Sequence, residues 1–441
     1  MRHRLLAAGL SGAFLLCGQT IPVTEHMLGN GMKILIHEDH DIPNVALYFF
    51  FRVGSRNERS GATGMSHFFE HMMFNGAKKY GPKQFDIVME RNGGNNNAYT
   101  SHDITVYTDW FPAAALETMF DMEADRIGGL AIDPKMVESE RGVVYSERRT
   151  AIDNDNAGLL FENLWAQAFL AHPYHWPIIG WASDIESWTL ADLRAHYRMG
   201  YAPNNCVMVV TGAVKEAEVL RLARKYMEPI PRQEPPPTVR TKEPEQRGER
   251  RVVVRKETEA PMLAIAWHAP ETAHADSRAV EILARLLTRG RSSRLYQALI
   301  DAKPIAIQAE AQAEDNVDPT IFTVFAQLRP GVEPGEAEAA IDREVARLAT
   351  EPVSATEIEK VRNQVLSEFY RGVRTIAGKA NLIGRAEIYL GSYKKLETYA
   401  ADLARVTPED VKRVAAKYLT RENRTVGLLI APEAPGQEAS R

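Results

Sequence analysis

Cysteine is nearly absent. Only Cys17 and Cys206 occur in 441 residues, and Cys17 lies in an N-terminal leader. Once that leader is removed, one thiol remains and no intrachain disulfide can form. The fold must then be held by its core rather than by crosslinks. Long apolar runs are also missing after Thr20, which leaves no segment able to span a bilayer as a helix. An excess of one charge is missing too, with 53 Lys and Arg against 58 Asp and Glu. A mildly acidic chain with no basic stripe and no C-x-x-C pair gives no electrostatic reason to expect nucleic acid.

The content that remains is ordinary for a globular protein, 45% hydrophobic and 25% charged. The length supplies material for about two to four domains. The first residues, Met1 to Arg4, are basic, and Leu5 to Cys17 is apolar. That order is a secretory signal pattern, so residues 1–20 are expected to be a signal peptide and the protein to be exported or periplasmic. The alternative is a cytoplasmic enzyme with an N-terminal extension. Leu16 before Cys17 does not fit a lipoprotein signal.

Proline clusters at 229, 231, 235, 236, 237 and 244 among charged residues. Such a stretch enters neither a helix nor a central strand, so 229–250 reads as a linker. It separates a first half, 21–228, from a second, 251–441. The halves look related. Thr189-x-x-Asp192 and Thr407-x-x-Asp410 both resemble capping boxes that start helices. Each is followed at the same distance by an asparagine, Asn205 or Asn423, and a strand-like run. A duplicated α+β unit follows. Periodicity predicts strands at Met32–His37, Val45–Val53, Arg251–Val254 and Met262–Trp267, and one strand over Ala98–Trp110. It predicts helices at Met65–Phe74, Lys83–Arg91, Ala113–Arg126, Asp133–Ala151, Ala279–Leu287 and Ser354–Val373.

His67-Phe68-Phe69-Glu70-His71 carries the clearest chemistry. Two imidazoles four residues apart share a helix face and can bind one Zn²⁺. Glu70 is offset around the helix, where a carboxylate can take a proton from water and pass it to a leaving amine. This H-x-x-E-H order is that of the inverzincins. Phe68, Phe69, Met72 and Met73 cover the other faces, so the helix is buried, and unpaired His and Glu would be costly there. A third ligand is required. Glu140 and Glu147 lie seven residues apart and share a helix face, but spacing alone does not raise either above a solvated charge.

Gly64 to Gly76, the segment Asn97-Ala98-Tyr99-Thr100-Ser101, and Glu140 to Glu147 together resemble the pitrilysin/insulinase family of peptidases, M16, in its short two-domain subfamily that includes mitochondrial processing peptidase. The resemblance implies an α+β fold of two related α/β-sandwich halves and a zinc endopeptidase acting on peptides or unfolded proteins. It implies one Zn²⁺ per chain held by His67, His71 and Glu147, with Glu70 catalytic and Glu140 supporting the site. It also implies that Asn97, Ala98, Tyr99 and Thr100 form an edge strand pairing with substrate backbone. The second half lacks a zinc motif, and its counterpart of the metal helix is expected at Leu286–Tyr296. An Arg/Tyr pair usual in the family falls on Ile300 and Ile307, while Arg289 and Tyr296 have the spacing but come too early. The chain is therefore expected to be the zinc-bearing subunit of a heterodimer, with a homologous partner supplying that pair. The competing reading is a non-catalytic peptide-binding or scaffold subunit. A maturation peptidase with one dedicated substrate shares the chemistry.

Overall fold

The structure, a computed structural model, describes residues 21–432. The signal-peptide expectation and Cys17 lie outside the described residues. Eleven strands form two sheets among these residues. The first sheet contains β1 (Thr24–Met27), β2 (Lys33–Glu38), β3 (Asn44–Phe51), β4 (Asn95–Thr100), β5 (Thr105–Pro112) and β6 (Cys206–Gly212), in the order β1-β2-β6-β3-β5-β4. The second contains β7 (Arg250–Arg255), β8 (Met262–Ala269), β9 (Ala306–Ala313), β10 (Thr320–Leu328) and β11 (Arg424–Ile430), in the order β7-β11-β8-β10-β9. The last five strands of each order correspond. In both, the late strand (β6 or β11) is parallel to β2 or β7 and antiparallel to β3 or β8.

Helices of the first half are α1 (Met65–Met72), α2 (Gln84–Arg91), α3 (Leu116–Gly129), α4 (Pro134–Arg148), α5 (Asn156–Ala168), α6 (Ala182–Ser187), α7 (Leu190–Gly200) and α8 (Glu216–Leu222). Those of the second are α9 (Ser277–Thr288), α10 (Arg294–Tyr296), α11 (Pro334–Thr350), α12 (Ala355–Gly372), α13 (Ile376–Tyr389), α14 (Tyr399–Arg405) and α15 (Pro408–Tyr418). Both Thr-x-x-Asp sequences are capping boxes, opening α7 and α15. The two asparagines also match in their bonds. Asn205 Nδ2 donates to the carbonyls of Gly200 and Arg52, and Asn423 Nδ2 to those of Tyr418 and His268.

The central strands are apolar on both faces because each is covered twice. Val45, Leu47, Phe49 and Phe51 of β3 face the first-half core, with Phe68 and Phe69 of α1. Ala46 and Phe50 face the other way, onto Ile376, Ala380 and Ile383 of α13. In β8, Leu263, Ile265 and Trp267 face the second-half core, while Ala264 and Ala266 meet Leu160 and Leu164 of α5. Each half thus lends one helix to the back of the other half's sheet. Gly384 of α13 lies so close to Phe50 that a Cβ there would sit 2.1 Å from the ring.

Two expectations are corrected. Ala98–Trp110 is a hairpin, β4 and β5, rather than one strand. Ser101 makes the turn: its N–H donates to the Ile104 carbonyl, and its Oγ accepts from the N–H groups of Asp103 and Ile104. Asp103, at that turn, accepts from Tyr174 Oη, Asn316 Nδ2 and the Val317 N–H, binding the hairpin to the second half. The counterpart of the metal helix is also not Leu286–Tyr296. That segment includes the end of α9, a turn at Gly290 (φ +84°) and α10, and α9 itself follows β8 as α1 follows β3. Residues 231–249 form neither helix nor strand. They are nonetheless tied down, by Glu243 accepting from the N–H groups of Leu170, Ala171 and His172, and by Gln246 donating to the Arg424 carbonyl.

Candidate metal centre

α1 is anchored at three places. It starts at Gly64, whose φ of +86° and contact with Ile179 leave no room for a side chain: a Cβ would lie 2.3 Å from the Ile179 carbonyl oxygen. No side chain of Gly64 can cap the helix, so the buried carboxyl group of Glu58 does it, accepting from the N–H groups of Gly64 and Ser66 at 2.6 Å each. Burial pushes the Glu58 carboxyl up to about 8 against those two donors. Two buried tyrosines hold helix carbonyls, Tyr201 Oη donating to Ser66 and Tyr107 Oη to Phe69.

α4 supplies the facing carboxylates. Asp133 caps its start and Pro134 occupies the first turn. Arg141 donates to the carbonyls of Ile185 and Trp188, which fixes the rotation of the helix. Glu140 and Glu147 then both face α1. Glu147 Oε1 lies 3.6 Å from His67 Nε2, and its Oε2 lies 3.2 Å from His71 Nε2. Ligand atoms of His67, His71 and Glu147 all lie within 4.8 Å of one another. Glu140 Oε1 is 2.9 Å from His71 Nδ1, and Asn75 Nδ2 donates to its Oε2 at 2.6 Å. That carboxylate fixes the ring, leaving Nε2 to point at Glu147.

The donor set fits zinc. Two imidazole nitrogens and one carboxylate make three protein ligands of the usual types, with a fourth position left for water or substrate. Electrostatics agree. Burial alone would lower His71, but the bonds and charges of Glu140 and Glu147 outweigh it and push it up to about 9. Glu147 is held well below the usual carboxylate range by His67 and His71. A site that holds positive charge this strongly suits a divalent cation in place of a proton. His67 Nδ1 is buried and has no hydrogen-bond partner among the described residues.

Glu70 does not join the three. Its Oε2 accepts from Thr100 Oγ1 at 2.7 Å. β4 is the end strand of its sheet, so one backbone edge faces no strand among the described residues. Within it, Asn97 is exposed, Ala98 packs toward the first-half core, and Tyr99 lies against the α13 side with its Oη 3.4 Å from Asn381. Sequence reasoning placed Thr100 in the substrate-pairing edge strand but missed its bond to Glu70. It also missed Glu58 and Asn75, whose roles depend on contacts that no helical or strand period announces. Ile300 packs against the second-half core, and Ile307, in β9, is 53% exposed.

Residues 33–180 match the model of the insulinase family, peptidase family M16, and residues 187–365 match the peptidase M16 inactive domain. The chain belongs to peptidase family M16. It is 30% identical over 395 residues to the zinc protease PqqE of Helicobacter pylori, covering 89% of each chain. A crystal structure of a protease from Helicobacter pylori superposes with a TM-score of 0.90 at 28% identity, covering 93% of this chain and 100% of that one. A peptidase M16 inactive domain from Pseudomonas fluorescens shares the fold, with a TM-score of 0.86 at 17% identity and coverage of 94% and 98%. No helix among the described residues is long and apolar enough to cross a membrane.

Proposed function

We propose that this chain is a zinc-dependent endopeptidase that hydrolyses peptides or unfolded proteins. The observation that carries this reading is the convergence of His67 Nε2, His71 Nε2 and a Glu147 oxygen, next to a carboxylate, Glu70, that is bonded to the edge strand. His67, His71 and Glu147 would hold one Zn²⁺, which when bound supplies Lewis-acid chemistry, lowering the pKa of water and polarising a peptide carbonyl. Glu140 orients His71. Glu70 takes the proton from the attacking water and delivers it to the departing amine. The free edge of β4, from Asn97 to Thr100, pairs with extended substrate, which demands little of its sequence. In this reading 21–228 is the metal-bearing half, 229–250 the connection and 251–441 the half without metal, after removal of a leader (1–20) on export to the periplasm.

The active unit is a heterodimer. Ile300 and Ile307 stand where relatives are expected to carry Arg and Tyr, and neither can donate a side-chain hydrogen bond to substrate backbone or a developing oxyanion. A homologous subunit would bring that pair. Zinc analysis together with a quenched-peptide assay of the chain and of Glu70→Gln tests the reading. Bound zinc in both proteins and cleavage only by the unaltered one is expected. A chain without zinc leaves the non-catalytic peptide-binding subunit as the answer, and cleavage that survives Glu70→Gln removes Glu70 as the base. Full activity of the purified chain with no gain from any partner would sink the heterodimer.

A further inference from the structure

Glu147 has a counterpart in the second half. α12 packs on α9 as α4 packs on α1. Two arginines fix the correspondence. Arg141 of α4 donates to the carbonyls of Ile185 and Trp188, and Arg362 of α12 donates to those of Leu403 and Val406. Each pair of carbonyls immediately precedes one of the matching capping boxes. Setting Arg141 on Arg362 sets the cap Asp133 on the cap Ser354, and Glu147 on Glu368.

The facing helix corresponds as well. One sequence offset takes Thr189 to Thr407, Asn205 to Asn423, and Phe51 at the end of β3 to Ala269 at the end of β8. The same offset takes His67 to Arg285 and His71 to Arg289. The contacts repeat. Each Glu147 oxygen faces one of two histidines a turn apart. Each Glu368 oxygen bonds one of two arginines a turn apart, Oε2 accepting from Arg285 Nη2 at 2.9 Å and Oε1 from Arg289 Nη2. The offset also takes Glu70 to Thr288. Glu70 accepts a hydrogen bond from β4, and Thr288 Oγ1 accepts one from the Ala311 N–H of β9, the end strand of its own sheet. Where Glu140 orients a histidine, α12 has the buried apolar Val361, and a guanidinium needs no such partner.

We propose that Arg285, Arg289 and Glu368 form a converted metal site. A guanidinium carries positive charge and has no lone pair to offer a metal. Two of them supply, as fixed charge, the cation that the same geometry in the first half leaves to an ion. The second half is therefore held together without metal, yet its backbone still presents two positions on α9 and one on α12 in ligand geometry. Restoring nitrogen ligands restores a site for a divalent transition metal.

The inference depends on the zinc reading only by analogy, and the test separates them. Full-length Arg285→His/Arg289→His is prepared, and the same pair of changes is also made in a His67→Ala/His71→Ala background. Zinc per chain is measured after dialysis, with Co²⁺ absorption as a second readout. One zinc more than the unaltered chain is expected in the first protein, and one zinc in the second, even if the unaltered chain binds none. Adding Glu368→Gln is expected to abolish the gain. A cooperatively melting double-His protein with no added metal overturns the proposal. If the double variant does not fold, Glu368→Gln alone decides: a lowered Tm that EDTA does not alter is expected, and an unchanged Tm overturns the charge-held arrangement.

Discussion

The first half and the second half follow one chain path but meet their charges differently. In the first, α1 brings two imidazoles to the Glu147 carboxylate of α4, a set of donors that suits a metal ion. In the second, α9 brings two arginines to the same place on α12, and the carboxylate there is paired from within the protein. Five strands and the two facing helices correspond in both, so the two clusters differ in their side chains, on helices whose registers are fixed elsewhere. Function lives in such sites, while the fold that carries them is indifferent to it.

The sharpest way to break this contrast is Glu70→Gln. Zinc content should be unchanged and kcat should fall on the order of 10² to 10⁴-fold, since a positioned general base contributes about that much. Glu140→Gln should weaken zinc binding by about 10–100-fold in competition with a chelator, the usual cost of losing a carboxylate behind a metal-binding histidine. If affinity does not move, Glu140 does not orient His71.

The exchanged helices offer a pair of stability tests. Gly384→Ala would drive a methyl into the Phe50 ring, with a Cβ contact of 2.1 Å, and should cost roughly 1–3 kcal/mol in denaturant melts. Gly427→Ala on β11 would meet the Cδ1 tips of Leu160 and Leu164, at 3.0 and 3.3 Å, and should cost less, under about 1.5 kcal/mol. Equal losses would mean that α5 and α13 are held equally tightly, contrary to these contacts.

The smallest effect concerns pH. Glu58, just before α1, has its carboxyl pushed up by burial to about 8 from 4.5. Its contribution is complete below about pH 4.5 and is lost as pH rises through about 8. Asp276, just before α9, is shifted the other way: burial would raise it, but Tyr418, Lys417 and Arg413 hold it low. Its contribution is present above pH 3.8 and is lost as pH falls through the depressed value. Tm–pH profiles should therefore show Glu58→Gln flattening the alkaline limb and Asp276→Asn the acid limb. The reverse assignment would show that the two helix starts are not ionised as the structure implies.

What could be read from sequence was what repeats locally. The H-x-x-E-H spacing placed both histidines because a helix turn decides it. The two capping boxes and two asparagines disclosed the duplication because each is a short pattern with its own bond. Ala98–Trp110 was misread because a turn made by one serine hydroxyl leaves no proline or glycine behind. Glu147 needed the family resemblance, since its spacing from Glu140 says only that they share a face. Glu58, the Thr100 bond to Glu70 and the swapped helices all depend on partners distant in sequence, which periodicity cannot report.

The exchange of α5 and α13 also bears on the order in which the protein is made. When the first half leaves the ribosome, β3 and β6 are already complete but the outer face with Ala46, Phe50, Val207 and Val209 is bare. Its cover, Ile376 to Tyr389, is synthesised near the end of the chain. From the completion of β6 until α13 is made, the nascent protein therefore carries an open apolar sheet, the kind of surface that chaperones hold and aggregates share. Neither half can finish folding before the other has been made.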